Sequence, residues 1–276
     1  MSATNSISPE KLFRLVGTPA CPAIVDVRPN SGDELLPGSI SPRADDVGQW
    51  ASELTGRKVV VSCVHGRERS AGVAAILRSN GIDAEILEGG FVGWRDAGLP
   101  LIDAAKLPPR DPAGRTVWVT RARPKVDRIA CPWLIRRFVD PSAVFLFVAP
   151  SEVAGVAERF AATPFDVDGV FWSHRGDKCS FDTMVEEFGL ESIDALARLA
   201  VIVRGADTAQ PELAPQAPGL LAASLGLSRM YSDDLEQLEA GMQIYDAFYR
   251  WCRDAVEETH DWVSHQPKAA RHSVNA

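Results

Sequence analysis

The stretch Ser62-Cys63-Val64-His65-Gly66-Arg67-Glu68-Arg69-Ser70 constrains the chain more than any other. Ahead of it runs Lys58-Val59-Val60-Val61, a short β-branched strand. Behind it runs Ala71 to Arg78, an apolar helical segment stopped by Asn80-Gly81. A strand, a tight loop and a helix start in that order make an anion cradle. The loop amides converge on one point, and the helix N-terminus adds positive potential. Cys63 stands at the head of this cradle, where a thiol should have a depressed pKa and the thiolate is the nucleophile. Arg67 and Arg69 add fixed positive charge. A buried structural cysteine beside a surface turn is the competing reading, and the glycine, the two arginines and the helix start weigh against it.

The cradle and its flanks resemble a rhodanese active site. Ile24-Val25-Asp26-Val27-Arg28 is similar to the family's Asp-x-Arg strand, and Leu36-Pro37-Gly38-Ser39-Ile40 to its Pro-Gly-Ala-Ile turn, without the usual preceding His. Leu87-Glu88-Gly89-Gly90-Phe91-Val92-Gly93-Trp94 matches its Gly-Gly-Phe-x-x-Trp ending. The resemblance covers about residues 6 to 102. It implies a sulfurtransferase in which Cys63 takes a sulfane sulfur from thiosulfate or another donor, holds it as a persulfide and passes it to an acceptor. Cys63 and Arg69 are then the catalytic residues, and Val64, His65, Gly66, Arg67, Glu68 and Ser70 form the substrate loop, with no cofactor. One departure matters. Common single-domain rhodaneses place an Arg or Thr five residues after the Cys, whereas Cys63 to Arg69 spells C-x5-R. That spacing resembles the phosphatase and arsenate reductase branch of the superfamily, whose wider loop holds a tetrahedral oxyanion. Ser62 stands where that branch usually carries a His.

A chain of 276 residues suggests two domains. Net charge is -8, and the acidic excess is shared by both halves, which argues against a nucleic-acid grip built on phosphate neutralisation. The five cysteines include no C-x-x-C pair, which fits a reducing cytoplasm rather than a disulfide framework. Met1-Ser2-Ala3-Thr4-Asn5 is polar, so no signal peptide is expected, and no apolar run is long enough to span a membrane.

The predicted elements of the first domain (1–103) are a helix over 6–16 with Ser8 as N-cap and Pro9 at N1, strands over 23–27, 58–62 and 84–87, and a short helix over 47–54. This alternation means α/β: a parallel sheet with flanking helices, the reactive loop at a strand's C-terminal end. Trp94 reads as a core anchor. Residues 104–114, with Pro108-Pro109, Asp111-Pro112 and Gly114, read as a linker. The second domain (115–258) reads as a mostly helical α+β unit with a small sheet. Its predicted strands are 116–120, 144–148 and 169–172. Its predicted helices are 125–139 (interrupted at Pro132), 151–160 (Ser151 as N-cap), 181–188, 192–204, 216–226 and 233–258. The last spaces Leu235, Leu238, Met242, Tyr245, Phe248 and Cys252 as a core stripe. Residues 259–276 lose periodicity and read as a loose tail.

Three polar clusters mark the second domain: Asp127 to Phe138, Ser173 to Asp182, and Arg204-Gly205-Ala206-Asp207. His174 and Cys179 are ligand types for a transition metal, with Asp127, Asp182 or Asp207 to complete the sphere. The arginines Arg128, Arg136, Arg175 and Arg204 offer an oxyanion pocket instead. A buried salt-bridge and capping network is the third reading. These clusters, with Phe145-Leu146-Phe147-Val148, Pro164-Phe165-Asp166-Val167 and Leu238-Glu239-Ala240-Gly241-Met242, resemble the C-terminal domain of the ChrB chromate-resistance family over about residues 116 to 254. Chromate-responsive members of that family carry an N-terminal DNA-binding domain, and here a rhodanese-like domain stands in its place.

Three functions follow as expectations. The first is a cytoplasmic sulfurtransferase using a Cys63 persulfide, fused to a chromate-resistance domain that binds a metal or an oxyanion such as chromate. The second is an oxyanion reductase or phosphatase working through the C-x5-R loop. The third is a non-enzymatic chromate-binding sensor.

Overall fold

The computed structural model describes residues 5–30 and 32–258, so the tail expected over 259–276 lies outside the described residues. The first domain runs β1 (Ser6–Ile7), α1 (Pro9–Phe13), β2 (Ala23–Asp26), β3 (Glu34–Leu35), β4 (Ser39–Ile40), α2 (Val47–Trp50), β5 (Val59–Ser62), α3 (Glu68–Ser79), β6 (Ala84–Leu87), α4 (Gly90–Asp96) and β7 (Ile102–Asp103). Five strands form one parallel sheet in the order β1-β6-β5-β2-β4. β5 is central and buried along its whole length, which is why Val59-Val60-Val61 reads as an unbroken apolar run rather than an alternating one. β3 and β7 pair separately as an antiparallel ribbon.

The helix expected over 6–16 is shorter. Ser6 and Ile7 pair with Ile86 and Leu87 as an edge strand, because their backbone can complete the sheet there. Ser8 then caps α1 by accepting from the Lys11 amide at 3.4 Å, with Pro9 opening the helix as expected. The helix expected over 47–54 is split into α2 and a 3-10 turn over Ala51–Leu54.

The second domain runs β8 (Val117–Arg121), α5 (Asp127–Leu134), β9 (Val144–Val148), α6 (Val153–Phe160), β10 (Thr163–Pro164), α7 (Ser180–Glu187), α8 (Asp194–Asp207), α9 (Ala217–Met230) and α10 (Asp234–Asp254). Its three strands form a small parallel sheet in the order β10-β8-β9. Pro132 lies inside α5, where it lacks the N–H that would reach the Arg128 carbonyl. The chain continues as a π-turn over Ile135–Val139, closed by the Asp140 amide donating to the Ile135 carbonyl at 2.7 Å. Two expectations need correction. The strand expected over 169–172 is absent; only an isolated bridge joins Phe165 to Trp172, and β10 takes the third place in the sheet. Ser151 is not an N-cap, because Pro150 starts a 3-10 turn that leads into α6. In α10, Asp233 is the N-cap, accepting from the Leu235 and Glu236 amides at 2.9 Å each. Its buried stripe holds Leu238, Met242, Tyr245 and Cys252 as expected, but Leu235 in the first turn is half exposed and Phe248 only partly buried.

The two halves share a core. Leu12, Val16, Phe91 and Trp94 of the first domain belong to the same buried cluster as Trp133, Phe138 and Tyr249 of the second. Trp94 is fully buried and donates its indole N–H to the Pro100 carbonyl at 2.9 Å, the core anchor the sequence suggested. Gly17, at φ +78°, lets the chain pass against Phe138 and Tyr249; a Cβ there would come within 2.8 Å of the Tyr249 ring. The Gly38 amide donates to the Phe138 carbonyl at 2.6 Å, and Arg253 reaches across to the Arg14 carbonyl at 2.7 Å. Residues 104–114 lie against the second domain, held by Lys106–Glu187 at 2.9 Å and Arg110–Asp140 at 3.3 Å. No described helix is long and apolar enough to cross a membrane.

Candidate functional site

Cys63 follows the last residue of β5, at the C-terminal edge of the sheet, and α3 begins at Glu68. The thiol is buried at the floor of the loop. The Arg67 amide donates to Sγ at 3.3 Å, and the Ser70 hydroxyl lies 3.2 Å from it while bonding the Arg67 carbonyl at 3.0 Å. Burial pushes the Cys63 pKa up, but the Ser70 hydroxyl and the Arg67, Ser70 and His65 amides pull harder, and the net shift is downward from the ordinary thiol value. The other four thiols go the opposite way. Burial raises Cys21 and Cys252 to about 11 each, and Cys131 and Cys179 well above their ordinary value.

The loop keeps its shape by leaning on the Gly-Gly-Phe segment. The Phe91 amide donates to the Cys63 carbonyl at 2.8 Å and the Val92 amide to the Val64 carbonyl at 3.0 Å. Gly66, at φ +66°, passes so close to Gly90 that a Cβ on it would sit 2.9 Å from the Gly90 nitrogen. The Asp-x-Arg strand supports the same wall. Arg28 Nε donates to Asp26 Oδ2 at 2.8 Å, and its guanidinium stacks 3.7 Å over the Phe91 ring. Three motifs that are separate in sequence thus meet around one thiol. Val64, His65, Arg67, Glu68 and Arg69 present exposed side chains around the mouth. Arg69 makes no ion pair among the described residues.

A second constellation lies in the other domain. Asp127 at the start of α5, Asp166 after β10, His174 on the loop before α7 and Asp207 at the end of α8 bring one ligand atom each to within 4.8 Å of one another. His174 Nε2 is 3.6 Å from Asp127 Oδ2, 3.4 Å from Asp166 Oδ1 and 3.2 Å from Asp207 Oδ2. Val126 and Asp166 hold positive φ of 29° and 50°, strain stored beside the cluster. Burial, then repulsion from Asp207 and Asp166, pushes the Asp127 carboxyl well up; Cys179 and His174 offset this only in part. Burial and the Asp166 charge likewise raise Asp207. Asp166 stays low despite its burial, because His174, Ser180, Arg128 and Arg121 all favour its charge. The hydrogen bond to Asp166, opposed by desolvation and reinforced by Asp127 and Asp207, raises His174 to about 9.

The expected ligands divide. His174, Asp127 and Asp207 converge. Cys179 and Asp182 stand outside the set: Cys179 is buried at the N-cap of α7, and Asp182 accepts from the Cys179 amide at 3.0 Å in a capping box. Asp166 takes the fourth place. It sits in the Pro164-Phe165-Asp166-Val167 string, but a left-handed Asp after a strand gives no metal-ligand spacing to read. The four arginines expected to offer an oxyanion pocket are each paired with a carboxylate. Arg128 pairs with Asp166 at 3.3 Å, Arg136 with Glu239 at 2.5 Å, Arg175 with Glu187 at 2.5 Å and Arg204 with Asp182 at 3.8 Å, each drawn to its own carboxylate.

Comparison with known proteins places both halves. Residues 8–97 match the rhodanese-like domain and residues 118–252 the C-terminal domain of ChrB. Protein ChrB of Cupriavidus metallidurans is 30% identical over 232 residues, covering 75% of this chain and 68% of that protein. Among solved structures, a rhodanese-related protein from Thermoplasma volcanium is 25% identical with a TM-score of 0.33, covering 36% of this chain and 97% of its own. A rhodanese-like domain protein from Staphylococcus aureus is 28% identical with a TM-score of 0.31, covering 33% and 91%. A parallel sheet carrying the Cys63 loop, joined through a shared core to a helical unit with a small sheet, is therefore a rhodanese-like domain fused to a ChrB C-terminal domain, and the chain belongs to the ChrB family.

Proposed function

We propose that the protein is a sulfurtransferase with Cys63 as its sulfur-carrying nucleophile, acting in chromate resistance. The observation that supports this most is the Cys63 thiol itself, whose pKa is lowered by Ser70 and the loop amides while the other four cysteines are raised. The thiolate attacks the outer sulfur of thiosulfate. A bond forms between Sγ and that sulfur, the sulfur–sulfur bond to the sulfonate breaks, and sulfite leaves with the electron pair. The same amides then bind the persulfide anion. An acceptor thiolate attacks the terminal sulfur, and Cys63 leaves as the thiolate. Membership of the ChrB family supports the link to chromate resistance. Intact mass spectrometry tests the first half-reaction. Thiosulfate should add one sulfur, ~32 Da, to the wild-type protein and none to Cys63→Ser, as a covalent intermediate requires. Sulfur on Cys131 or Cys179 instead would overturn the assignment.

One contact favours a second reading, that of an oxyanion reductase or phosphatase. Ser70 follows Arg69 directly and lies 3.2 Å from Sγ, which holds the end of the C-x5-R loop, and with it Arg69, beside the thiol. Turnover of chromate, arsenate or an aryl phosphate that depends on Cys63, with no sulfur adduct, would select it.

A further inference from the structure

The Asp127–Asp166–His174–Asp207 constellation lies in the second domain, apart from the Cys63 loop, and sulfur transfer has no use for it. Each carboxylate is held by at least one protein donor. Asp127 Oδ2 accepts from the Ser180 and Phe181 amides, at 2.5 and 3.3 Å. Asp166 Oδ1 accepts from the Ser180 hydroxyl at 2.8 Å, and its Oδ2 faces Arg128 Nε at 3.3 Å. Asp207 Oδ1 accepts from the Asp127 amide at 3.3 Å. Such outer bonds are what fix ligands around an ion. Against this ordering one atom stands out: Asp127 Oδ1 is buried and has no hydrogen-bond partner, on a carboxylate whose side chain is 1% exposed and whose other oxygen, Oδ2, lies 3.6 Å from His174 Nε2. A buried carboxyl oxygen left unpaired costs free energy unless a proton or a metal cation meets it.

The separations from His174 fit an ion. With metal–ligand distances of about 2.0–2.2 Å, the edge of a coordination tetrahedron is about 3.3–3.6 Å. The separations from His174 Nε2 are 3.2, 3.4 and 3.6 Å. A cleft of about 450 Å³, lined by Arg121, Lys125, Asp168, His174 and Asp207 among others, gives an entry path.

We propose that Asp127, Asp166, His174 and Asp207 form a binding site for one divalent first-row transition-metal ion, entered through this cleft. Three carboxylates and one imidazole select manganese, iron or zinc. Calcium and magnesium prefer all-oxygen shells, and the softer copper(I) needs sulfur. Cys131 and Cys179 take no part. The competing arrangement is one in which protonated His174 is itself the only cation the aspartates need.

The full-length protein, stripped with a chelator and dialysed, is titrated with Mn²⁺ and with Zn²⁺ by calorimetry. Bound metal is counted by elemental analysis, and circular dichroism confirms that each sample is folded. About one ion per chain is expected, with micromolar or tighter affinity. His174→Gln and the isosteric Asp207→Asn should each weaken it at least tenfold, while Asp168→Asn in the same cleft should not. Cys63→Ser should bind as wild type, so this result stands or falls separately from sulfur transfer. X-ray absorption on the wild-type complex, which needs no variant to fold, should show nitrogen and oxygen neighbours only. Folded protein that takes up neither ion at millimolar concentration, wild-type affinity in both Asp207→Asn and His174→Gln, or sulfur in the first shell would each overturn the proposal.

Discussion

Gly66 and Gly90 pack backbone against backbone, and this contact sets the floor of the Cys63 loop. Both have positive φ, 66° and 60°, and a Cβ on Gly66 would lie 2.9 Å from the Gly90 nitrogen. Neither the loop nor the start of α4 can retreat, because the Phe91 amide is bonded to the Cys63 carbonyl at 2.8 Å. Gly90→Ala should therefore destabilise the protein by roughly 2–4 kcal/mol, combining backbone strain with a steric clash. A urea midpoint within error of wild type would show that the two segments are not in contact.

The thiol ordering gives a pH prediction. A lowered pKa means that Cys63 becomes the reactive thiolate at lower pH than any other cysteine, with its reactivity present above that pKa and lost as pH falls through it. Iodoacetamide should label Cys63 first near neutral pH, while Cys21 and Cys252, raised to about 11, stay unmodified. Ser70→Ala removes a hydrogen bond to the charged form. The midpoint of Cys63 labelling should then move up in pH. Peptide mapping across a pH series checks both points, and equal labelling of Cys21 and Cys63 would contradict the ordering.

Sequence made the first site legible because its chemistry is local. A strand, a Cys, a glycine loop and a helix start occupy consecutive positions, and the contacts that refine the site join motifs already readable as strings: Arg28 with Phe91, Cys63 with Phe91. Ser70 as the side chain that meets Sγ could be suspected from its place in the loop, though its partner could not. The second site was only half legible. His174, Asp127 and Asp207 stand out by type, but they come from a loop and two helices, and nothing in their spacing says which aspartate joins them. Cys179 was attractive as a metal ligand by chemistry alone, but it stands at the N-cap of α7, outside the four converging groups. The pairings of the four arginines were not legible because each carboxylate partner lies far along the chain or on another element, as Glu239 does for Arg136. Leu235 kept the period of the α10 stripe yet lies in its first turn, beyond the neighbours that cover the rest.

The shared core makes a prediction about cooperativity. Phe138 and Tyr249 pack against Gly17, and Leu12, Trp94 and Trp133 belong to one cluster. Heating should therefore give a single calorimetric transition, because neither half keeps its core when the other unfolds. Gly17→Ala, at φ +78° and against two aromatic rings, should lower stability by about 2–4 kcal/mol while leaving the Cys63 loop chemistry of the folded fraction intact. Two separated transitions in the wild type would mean that the halves fold independently.

The last prediction concerns Arg69. It lies in the first turn of α3, exposed, one residue before the Ser70 hydroxyl that touches Sγ, and it makes no ion pair among the described residues. Its guanidinium fork can therefore turn to an anion over the thiol without breaking an existing pair, and a fork can bind two oxygens at once. Arg67 contributes differently, since its amide rather than its side chain is bonded to Sγ, at 3.3 Å. Each charge-assisted hydrogen bond is worth on the order of 1.5–3 kcal/mol. Arg69→Ala should thus weaken sulfate or chromate binding roughly tenfold or more, while Arg67→Ala, which keeps the amide, should cost less. Protection of Cys63 from alkylation by added sulfate or chromate measures both constants. Protection lost equally in the two variants would mean that the arginines act only as diffuse charge. No protection in the wild type at millimolar anion would leave the loop as a pocket for a single sulfur atom and remove the reductase and phosphatase reading.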